Sequence, residues 1–247
     1  MFWIFLWQSA GSVRDRGLIV SRLNKTSCGL LLCYVTDRHS LAEAKPAEQQ
    51  EILLDKIAAA ADAGVDWIQI RERELLGKDC SSLTREALGR AARSNKNTPT
   101  RILVNDRLDV ALAERADGVH LGEKSLPPVE VSRIVESCGE RKDFLVGVSC
   151  HSLEAARAAA NGGAGYLFFG PVFSTPSKTA FGAPQGLERL AEVCRAVAIP
   201  VLAIGGITLA NAADCLAAGA SGIAAIRLFQ DARDMSSLVQ SLRKLKT

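Results

Sequence analysis

A hydroxyl-rich loop between Gly165 and Gly182 carries the residue types best suited to chemistry. It follows an apolar run at 166–169 (YLFF), which has the length and aromatic content of a buried strand and ends at Gly170-Pro171. Hydroxyls, free loop amides and a lysine all supply hydrogen-bond donors to a phosphate or diphosphate. The loop's side-chain donors are Ser174, Thr175, Ser177, Lys178 and Thr179. Taken alone, the loop is more simply an ordinary polar connection, so its meaning depends on the elements that position it.

Those elements repeat one unit, an apolar run followed by a helical pattern. The predicted strands are Leu30–Val35, Trp67–Ile70, Arg101–Val104, Gly118–Leu121, Phe144–Val148, Gly165–Phe169, Pro200–Ile204 and Gly222–Ile226. Helical patterns cover residues 47–63, 81–93, 108–115, 128–137, 152–161, 187–196, 209–218 and 235–244. The strands are apolar on both faces, as parallel strands covered by helices are. No GxGxxG follows the first strand, so a single (β/α)8 TIM barrel is favoured over an open doubly wound sheet.

Composition narrows the range of partners. The net charge is only +3 and both signs are mixed along the chain, so we expect no nucleic-acid partner and only local anion sites. The seven cysteines are odd in number and form no CxxC pair, which argues against a disulfide framework or a zinc site. Reduced thiols in the cytoplasm fit best. Self-association into a homo-oligomer is compatible with the sequence.

The N-terminus differs from the rest of the chain. Residues 1–7 (MFWIFLW) are continuously apolar, and the cations at Arg14 and Arg16 come after them. A secretory signal has its cation before a longer apolar run, and a spanning helix needs about 20 apolar residues. We therefore expect residues 1–29 to be an extension outside the fold, residues 30–247 to form the barrel, and no membrane partner. A weak membrane-surface anchor is the alternative.

A barrel places its active site at the carboxyl ends of its strands. There the sequence has several cations, hydroxyls and a GG turn, which predict a site for a phosphorylated small molecule with two separate anion patches. The polar residues and the GG turn at these strand ends, besides the hydroxyl loop, are Thr36, Asp37, Gln69, Arg71, Glu72, Arg73, Asn105, Asp106, Arg107, His120, Glu123, Lys124, Ser149, His151, Gly205, Gly206 and Arg227.

Each of these residues also has a simpler interpretation. Gln69 and Arg71 alternate along one strand, so both should face the barrel mouth. Asp106 alone would be better explained as a cap of the helix that begins at Leu108. A lone histidine such as His151 is a weak signal. The Gly205-Gly206 pair suits a phosphate at a helix N-terminus but is about as well explained by a tight turn.

Together, eight segments resemble one known superfamily. They are YVTD (34–37), IQIRER (68–73), NDR (105–107), DGVHLG (117–122), GVSCHS (147–152), FFGPVFSTPSK (168–178), IPVLAIGGI (199–207) and GASGIAAI (219–226). In this order they are similar to the thiamine-phosphate synthase / thiazole tautomerase superfamily, over about residues 31–230. Eight segments in order are far more specific than any one of them.

The resemblance implies a reaction and its residues. The synthase joins a hydroxymethylpyrimidine diphosphate to a thiazole phosphate (or its carboxylate), forming thiamine phosphate and pyrophosphate with Mg²⁺ as cofactor. Its mechanism is dissociative, so positioning and charge stabilisation matter more than a nucleophile. By resemblance, Gln69 and Ser149 would hold the pyrimidine, Arg71, Arg73, Asn105 and Lys178 the diphosphate, and Asp106 the Mg²⁺. Thr175, Ser177, Gly206 and Ile226 would line the thiazole-phosphate pocket.

The chain departs from the synthase pattern at three positions. Ser125 stands where the synthase has a second Mg²⁺-binding aspartate, leaving Glu123 or Lys124 as nearby substitutes. Arg73 replaces a lysine, and Arg227 replaces a serine, either adding a cation near the thiazole phosphate or blocking its seat. The expected function is thiamine-phosphate synthase. The alternatives are a thiazole tautomerase that uses His151 in proton transfer, and a non-catalytic binder of phosphorylated ligands.

Overall fold

Eight short apolar strands close into a parallel barrel in the order β1 to β8, each strand pairing with its neighbours in sequence and β1 pairing with β8. The computed structural model describes residues 29–41, 46–94, 98–139, 143–175 and 184–245. The strands are β1 (Leu31–Val35), β2 (Trp67–Ile70), β3 (Arg101–Asn105), β4 (Gly118–Leu121), β5 (Leu145–Cys150), β6 (Tyr166–Phe169), β7 (Val201–Ile204) and β8 (Gly222–Ala225). The predicted (β/α)8 barrel is confirmed.

Nine α-helices occur in the described ranges, one more than the sequence predicts. They are α1 (Pro46–Ala63), α2 (Gly77–Ala91), α3 (Leu108–Ala113), α4 (Pro128–Ser137), α5 (Leu153–Asn161), α6 (Gly186–Ala196), α7 (Ala212–Ala217), α8 (Arg227–Gln230) and α9 (Met235–Arg243). The additional helix is the four-residue α8, which is too short to show a periodic pattern. A 3-10 turn at Arg38–Ser40 follows β1.

The strand sequences sort their side chains between two layers. One set points into the barrel, including Cys33, Trp67, Tyr166 and Phe168, and forms its own buried cluster. The alternate set packs outward against the helices in the larger core. The lower barrel is filled by aromatic rings: Trp67 and Tyr166 have centroids 4.6 Å apart. Gly147 makes room for them, because a Cβ there would lie 2.0 Å from the Tyr166 ring.

Two helices begin more than one residue away from the predicted position. Helix α2 begins at Gly77, four residues earlier than predicted, because its first turn lacks the apolar spacing that marks the rest. Helix α7 begins at Ala212 instead of Leu209. There the Asn211 side chain accepts a hydrogen bond from the Thr208 amide and donates to the Gly206 carbonyl, so residues 208–211 form a turn. Ser152 caps α5, since its hydroxyl accepts a hydrogen bond from the Ala155 amide at 3.1 Å.

The expectations for the chain's start fall mostly outside the described part. Of residues 1–29, the structure describes only Gly29. Within the described ranges, no helix combines the length and apolar character needed to cross a bilayer. The six described cysteines form no disulfide with one another.

Candidate active site at the barrel mouth

A cavity of about 360 Å³ opens at the carboxyl ends of the strands. Most of the site residues predicted from the sequence line it, and several elements contribute to its wall. The predicted residues in the wall are Gln69, Arg71, Arg73, Asn105, Ser149, His151, Thr175, Gly206 and Ile226. Ser177 and Lys178 lie outside the described residues, so their roles stay predictions.

A buried amide of β2 presents an acceptor to this cavity. Gln69 is 2% exposed, and its Nε2 donates to Asn105 Oδ1 at 2.8 Å across the β2–β3 pair. No donor among the described residues reaches Gln69 Oε1. An unsatisfied buried carbonyl costs free energy unless a partner arrives. The site is therefore suited to a ligand that brings an N–H or O–H group to this position.

Three arginines line the same cavity. Arg71 and Arg73 follow β2, and Arg227 follows β8. No guanidinium of the three donates to, or forms an ion pair with, a side chain in the described ranges. Burial, and next the charge of Arg73, lower the pKa of Arg71, while Asp37, Glu72 and Asp106 act in the opposite direction. Arg71 is half-buried, whereas Arg73 and Arg227 are exposed at the cavity rim. Three neighbouring guanidinium groups without a side-chain acceptor in the described ranges strongly attract a polyanion.

A buried carboxylate holds the arginine-bearing loop against β1. Glu72 is 6% exposed and accepts from the Thr36 hydroxyl at 2.5 Å and from the Arg38 amide at 3.0 Å. The Arg71 amide donates to the Thr36 hydroxyl oxygen at 2.9 Å. Burial raises the pKa of the Glu72 carboxyl. Because Glu72 accepts hydrogen bonds from residues just after β1, it fixes the position of the backbone that carries Arg71 and Arg73.

A histidine inside the barrel orients the predicted pyrimidine-binding serine. His120 is fully buried, with Nε2 2.9 Å from Ser149 Oγ and Nδ1 3.0 Å from the Tyr166 hydroxyl. Burial lowers the pKa of His120 to about 3, so its imidazole is neutral. The Phe168 ring lies against it, with centroids 4.1 Å apart. Neutral His120 therefore positions the Ser149 hydroxyl by hydrogen bonding, without bringing charge to the cavity.

The structure gives Asp106 a different role from that of a helix cap. Arg107, not Asp106, precedes α3, and no side chain caps that helix. The Asp106 carboxylate instead accepts from the Gly122 amide at 2.9 Å and from the Ser125 hydroxyl at 2.5 Å, both on Oδ1. Its Oδ2 accepts from Asn105 Nδ2 at 3.0 Å. The capping interpretation is wrong because Asp106 turns toward the loop after β4.

The side chains around Asp106 also determine whether a metal ion could bind there. No group of three or more His, Cys, Asp or Glu side chains within the described ranges could hold a metal ion. Glu123, a candidate substitute for the missing aspartate, accepts from the His151 amide at 3.1 Å. Mg²⁺ keeps several waters and often binds through one or two carboxylates plus substrate phosphates. Asp106 fits an ion of that kind, provided that the substrate supplies further ligands.

His151 has a defined tautomer. Its Nδ1 contacts the Gly170 carbonyl, which can only accept, so Nδ1 carries the proton. This bond fixes the orientation of the ring. His151 lines the cavity together with Ser149, so an oriented imidazole lies at the site.

A pair of glycines shapes the opposite wall. Gly205 and Gly206 have φ of +92° and +69°, the region that favours glycine. A Cβ on Gly206 would lie 2.7 Å from both the Phe173 Cβ and the Ser174 carbonyl oxygen, because the loop after β6 runs beside the turn. The tight-turn interpretation is correct, and the turn also lines the cavity with Ile226 and Arg227.

Three residues that support or line the site were missed in the sequence. Gln230 in α8 is 1% exposed; its Oε1 accepts from the Tyr34 hydroxyl at 2.9 Å, and its Nε2 donates to the Asp37 carbonyl at 2.6 Å. It ties the loop after β1 to α8. A buried glutamine in an apolar stretch was the available signal. Phe168 and Ile204 also line the cavity, and their alternation along β6 and β7 could have placed them there.

Fold and site define a class: a (β/α)8 barrel with a mouth lined by cationic side chains. The family model described as thiamine monophosphate synthase matches residues 32–229, and this chain belongs to that family. It is 38% identical to thiamine-phosphate synthase of Roseiflexus sp. (strain RS-1) over 87% of this chain and 85% of that protein. It is 42% identical to thiamine-phosphate synthase of Methanocella arvoryzae, over 77% and 86% of the two chains.

The structural comparison agrees with the sequence comparison. A solved structure titled thiamine phosphate pyrophosphorylase from Pyrococcus furiosus superimposes with a TM-score of 0.72 at 32% identity. The alignment covers 90% of this chain and 96% of that one. Barrel architecture, family model and order of segments thus lead to the same family.

Proposed function

We propose that the protein is a thiamine-phosphate synthase, a transferase that joins hydroxymethylpyrimidine diphosphate to a thiazole phosphate and releases pyrophosphate. The observation that carries the proposal is the set of three guanidinium groups, Arg71, Arg73 and Arg227, around one cavity. Their charges match two phosphorylated substrates, since two arginines come from β2 and the third from β8. The relatives named thiamine-phosphate synthase support the same activity.

On the β2 side, the cavity suits the pyrimidine diphosphate. The unsatisfied Gln69 Oε1 would accept from an amino group on the pyrimidine ring, and Ser149, held by His120, would supply a second hydrogen bond. Arg71, Arg73 and Asn105 would hold the diphosphate, together with Lys178. Asp106 would hold Mg²⁺, which when bound offsets negative charge on the leaving diphosphate. Stabilising that leaving group is the main task of a dissociative reaction.

On the β7–β8 side, the cavity suits the thiazole phosphate. The Gly205-Gly206 turn brings backbone close to the ligand, and Ile226 gives an apolar contact. Thr175 and Ser177 are the hydroxyl donors predicted there. Arg227 lies at this end of the cavity, so it adds a cation to the phosphate seat. The Phe168 ring forms part of the same cavity wall.

A tautomerase is the second candidate, and one observation favours it. His151 lines the cavity and is held through Nδ1 by the Gly170 carbonyl, and an imidazole at this place could take part in proton transfer on a thiazole carboxylate. Only the synthase, however, has use for so many cations around a diphosphate. A substitution of His151 by Asn distinguishes the two candidates, because it should abolish tautomerase turnover and leave the bond-forming reaction largely intact.

The test is a turnover assay that follows thiamine phosphate and pyrophosphate together. Wild-type protein should form both in equal amounts with Mg²⁺ and both substrates, and neither when EDTA is present or one substrate is omitted. Arg71→Gln should lower kcat/KM by about a hundredfold, because it removes a charge-assisted contact worth about 3 kcal/mol. Arg133→Gln, which removes an exposed arginine of α4, is the control. No product under any condition, with tight binding of both substrates, would indicate a non-catalytic binder instead.

A further inference from the structure

Protein donors already surround the Asp106 carboxylate, the group predicted to hold the metal. Asp106 Oδ1 accepts from the Ser125 hydroxyl at 2.5 Å and the Gly122 amide at 2.9 Å, and Oδ2 accepts from Asn105 at 3.0 Å. A carboxylate has about four lone-pair sites, so three bonds leave about one for any other partner. That remaining site is on Oδ2, the oxygen that Asn105 also contacts.

Within the described ranges, Asp106 belongs to no group of three or more His, Cys, Asp or Glu side chains that could hold a metal ion. Ser125 contributes a neutral hydroxyl directly against Asp106, and that hydroxyl donates its proton to the carboxylate. Glu123 is engaged with the His151 amide on the next loop. At Asp106 the protein therefore offers a divalent ion one partly occupied carboxylate, close enough to Arg71 for the two charges to interact. Asp37 also lines the cavity, but it follows β1, while Asp106 follows β3.

Mg²⁺ holds its waters tightly and requires near-octahedral oxygen ligands. A free ion would find one partly occupied carboxylate beside two arginines, so we expect it to bind weakly. A bound diphosphate removes both obstacles. It neutralises the charges of the arginines, and it supplies further hard oxygen ligands to the ion. We propose that this site takes its divalent metal only together with the diphosphate, and that Ser125 in place of a carboxylate imposes this order. The inference deepens the proposed function and rests on it.

Ser125 has a second effect, as a positioning residue. Asp106 has a φ of +56°, a strained value for a residue other than glycine. The bonds from Ser125 and Gly122 hold its carboxylate in that conformation. Ser125→Ala should therefore keep the requirement for diphosphate, because it adds no charge, while weakening co-binding by about threefold to tenfold for the lost hydrogen bond.

The experiment measures Mn²⁺ retained by the full chain in ultrafiltration, with metal and inorganic pyrophosphate as the probes. Wild type should retain almost no Mn²⁺ at about 100 µM metal alone, and about one Mn²⁺ with one pyrophosphate per chain when both are present. Ser125→Asp should bind Mn²⁺ alone at least about tenfold more tightly than wild type. Ser137→Asp, which adds the same charge at the exposed end of α4, should not.

Two results would overturn the proposal. One is tight retention of Mn²⁺ by wild type without pyrophosphate, a measurement that needs no variant to fold. The other is a folded Ser125→Asp variant that binds free Mn²⁺ no better than Ser137→Asp. The proposed function fails separately: co-retention of Mn²⁺ and pyrophosphate without any thiamine phosphate formation would contradict the synthase and leave this inference intact.

Discussion

His120 shows how burial turns a titratable residue into a fixed hydrogen-bonding group. Its imidazole bonds to Tyr166 and Ser149 hydroxyls and lies near the charges of Asp106 and Arg71. A lowered pKa in the folded state means that the unfolded chain binds more protons between pH 3 and 6.5. The stabilising contribution is therefore complete above pH 6.5 and is lost as the pH falls toward 3.

We expect wild type to lose about 2 kcal/mol of unfolding free energy between pH 7 and pH 5 through His120. Replacing His120 by Gln, which keeps a donor and an acceptor, should remove most of that pH-dependent loss. Urea unfolding at both pH values measures it. His39→Gln removes an imidazole whose side chain is 63% exposed and should leave the pH dependence unchanged. Equal losses in wild type and His120→Gln would show that His120 is not the titrating group.

Arg227 stands where the resemblance to the synthase family leads us to expect a serine, on the predicted thiazole side of the cavity. If its guanidinium bonds the thiazole phosphate, Arg227→Ser should raise the KM for the thiazole phosphate by about tenfold, the size of one charge-assisted hydrogen bond. The KM for the pyrimidine diphosphate should change much less. Steady-state kinetics with each substrate varied in turn measures both, with exposed Arg233→Ser as the control. A lower KM for the thiazole phosphate would mean that Arg227 obstructs the seat.

At the scale of elements, the loops after β6 and β7 shape one another. The amides of Val172 and Phe173 donate to the carbonyls of Ile204 and Gly205 at 2.9 and 3.0 Å. The two loops thus form one wall, and the turn at Gly206 leaves no room for a side chain. A change in this turn should affect the proposed phosphate-binding site on that wall more than the proposed diphosphate-binding site across the cavity.

Gly206→Ala tests this coupling. Positive φ costs about 1–2 kcal/mol for alanine, and contact with Phe173 and the Ser174 carbonyl adds to it. We expect a lower Tm and a larger rise in KM for the thiazole phosphate than for the diphosphate. Gly139→Ala is the matched control, because Gly139 also has positive φ but a Cβ there would meet no heavy atom within 4 Å. Equal effects of the two substitutions on KM would argue against a role for the crowded turn.

Periodicity predicted strands better than it predicted the short elements between them. Apolar runs such as residues 67–70 are long enough to bury on both faces, so β2 was predicted to the residue. Helix α8 has four residues, and the start of α7 depends on the Asn211 side chain, which no pattern of apolar spacing reports. Local side-chain bonds, not hydrophobic period, set those boundaries.

For the site, position along a strand predicted which residues line the cavity. It did not predict which partners their side chains bond. Strand ends correctly placed Gln69, Asn105 and Ser149 in the cavity. The sequence could not show that Asp106 turns toward Ser125, nor that Glu72 turns away toward Thr36, because each depends on a partner from another loop. Contacts between residues 19 or 36 positions apart follow only from the closed barrel.

At the scale of the whole molecule, closure of the barrel requires nothing before β1. Leu31 pairs with Gly222 of β8, and its amide donates to the Ser221 carbonyl at 3.0 Å. Removal of residues 1–28 should therefore leave Tm within about 2 °C and kcat within about twofold of the full chain. Calorimetry and the turnover assay measure the two. A large loss in either would contradict the expectation that these residues lie outside the fold.

The central claim is that one cavity holds a diphosphate and a thiazole phosphate on opposite walls. A crystal structure of the full chain with Mg²⁺, pyrophosphate and thiamine phosphate tests it most directly. We expect the pyrophosphate to lie against Arg71 and Asn105, and the phosphate of thiamine phosphate to lie against Gly206 and Arg227. The reverse placement of the two anions, or either anion bound outside the barrel mouth, would contradict it.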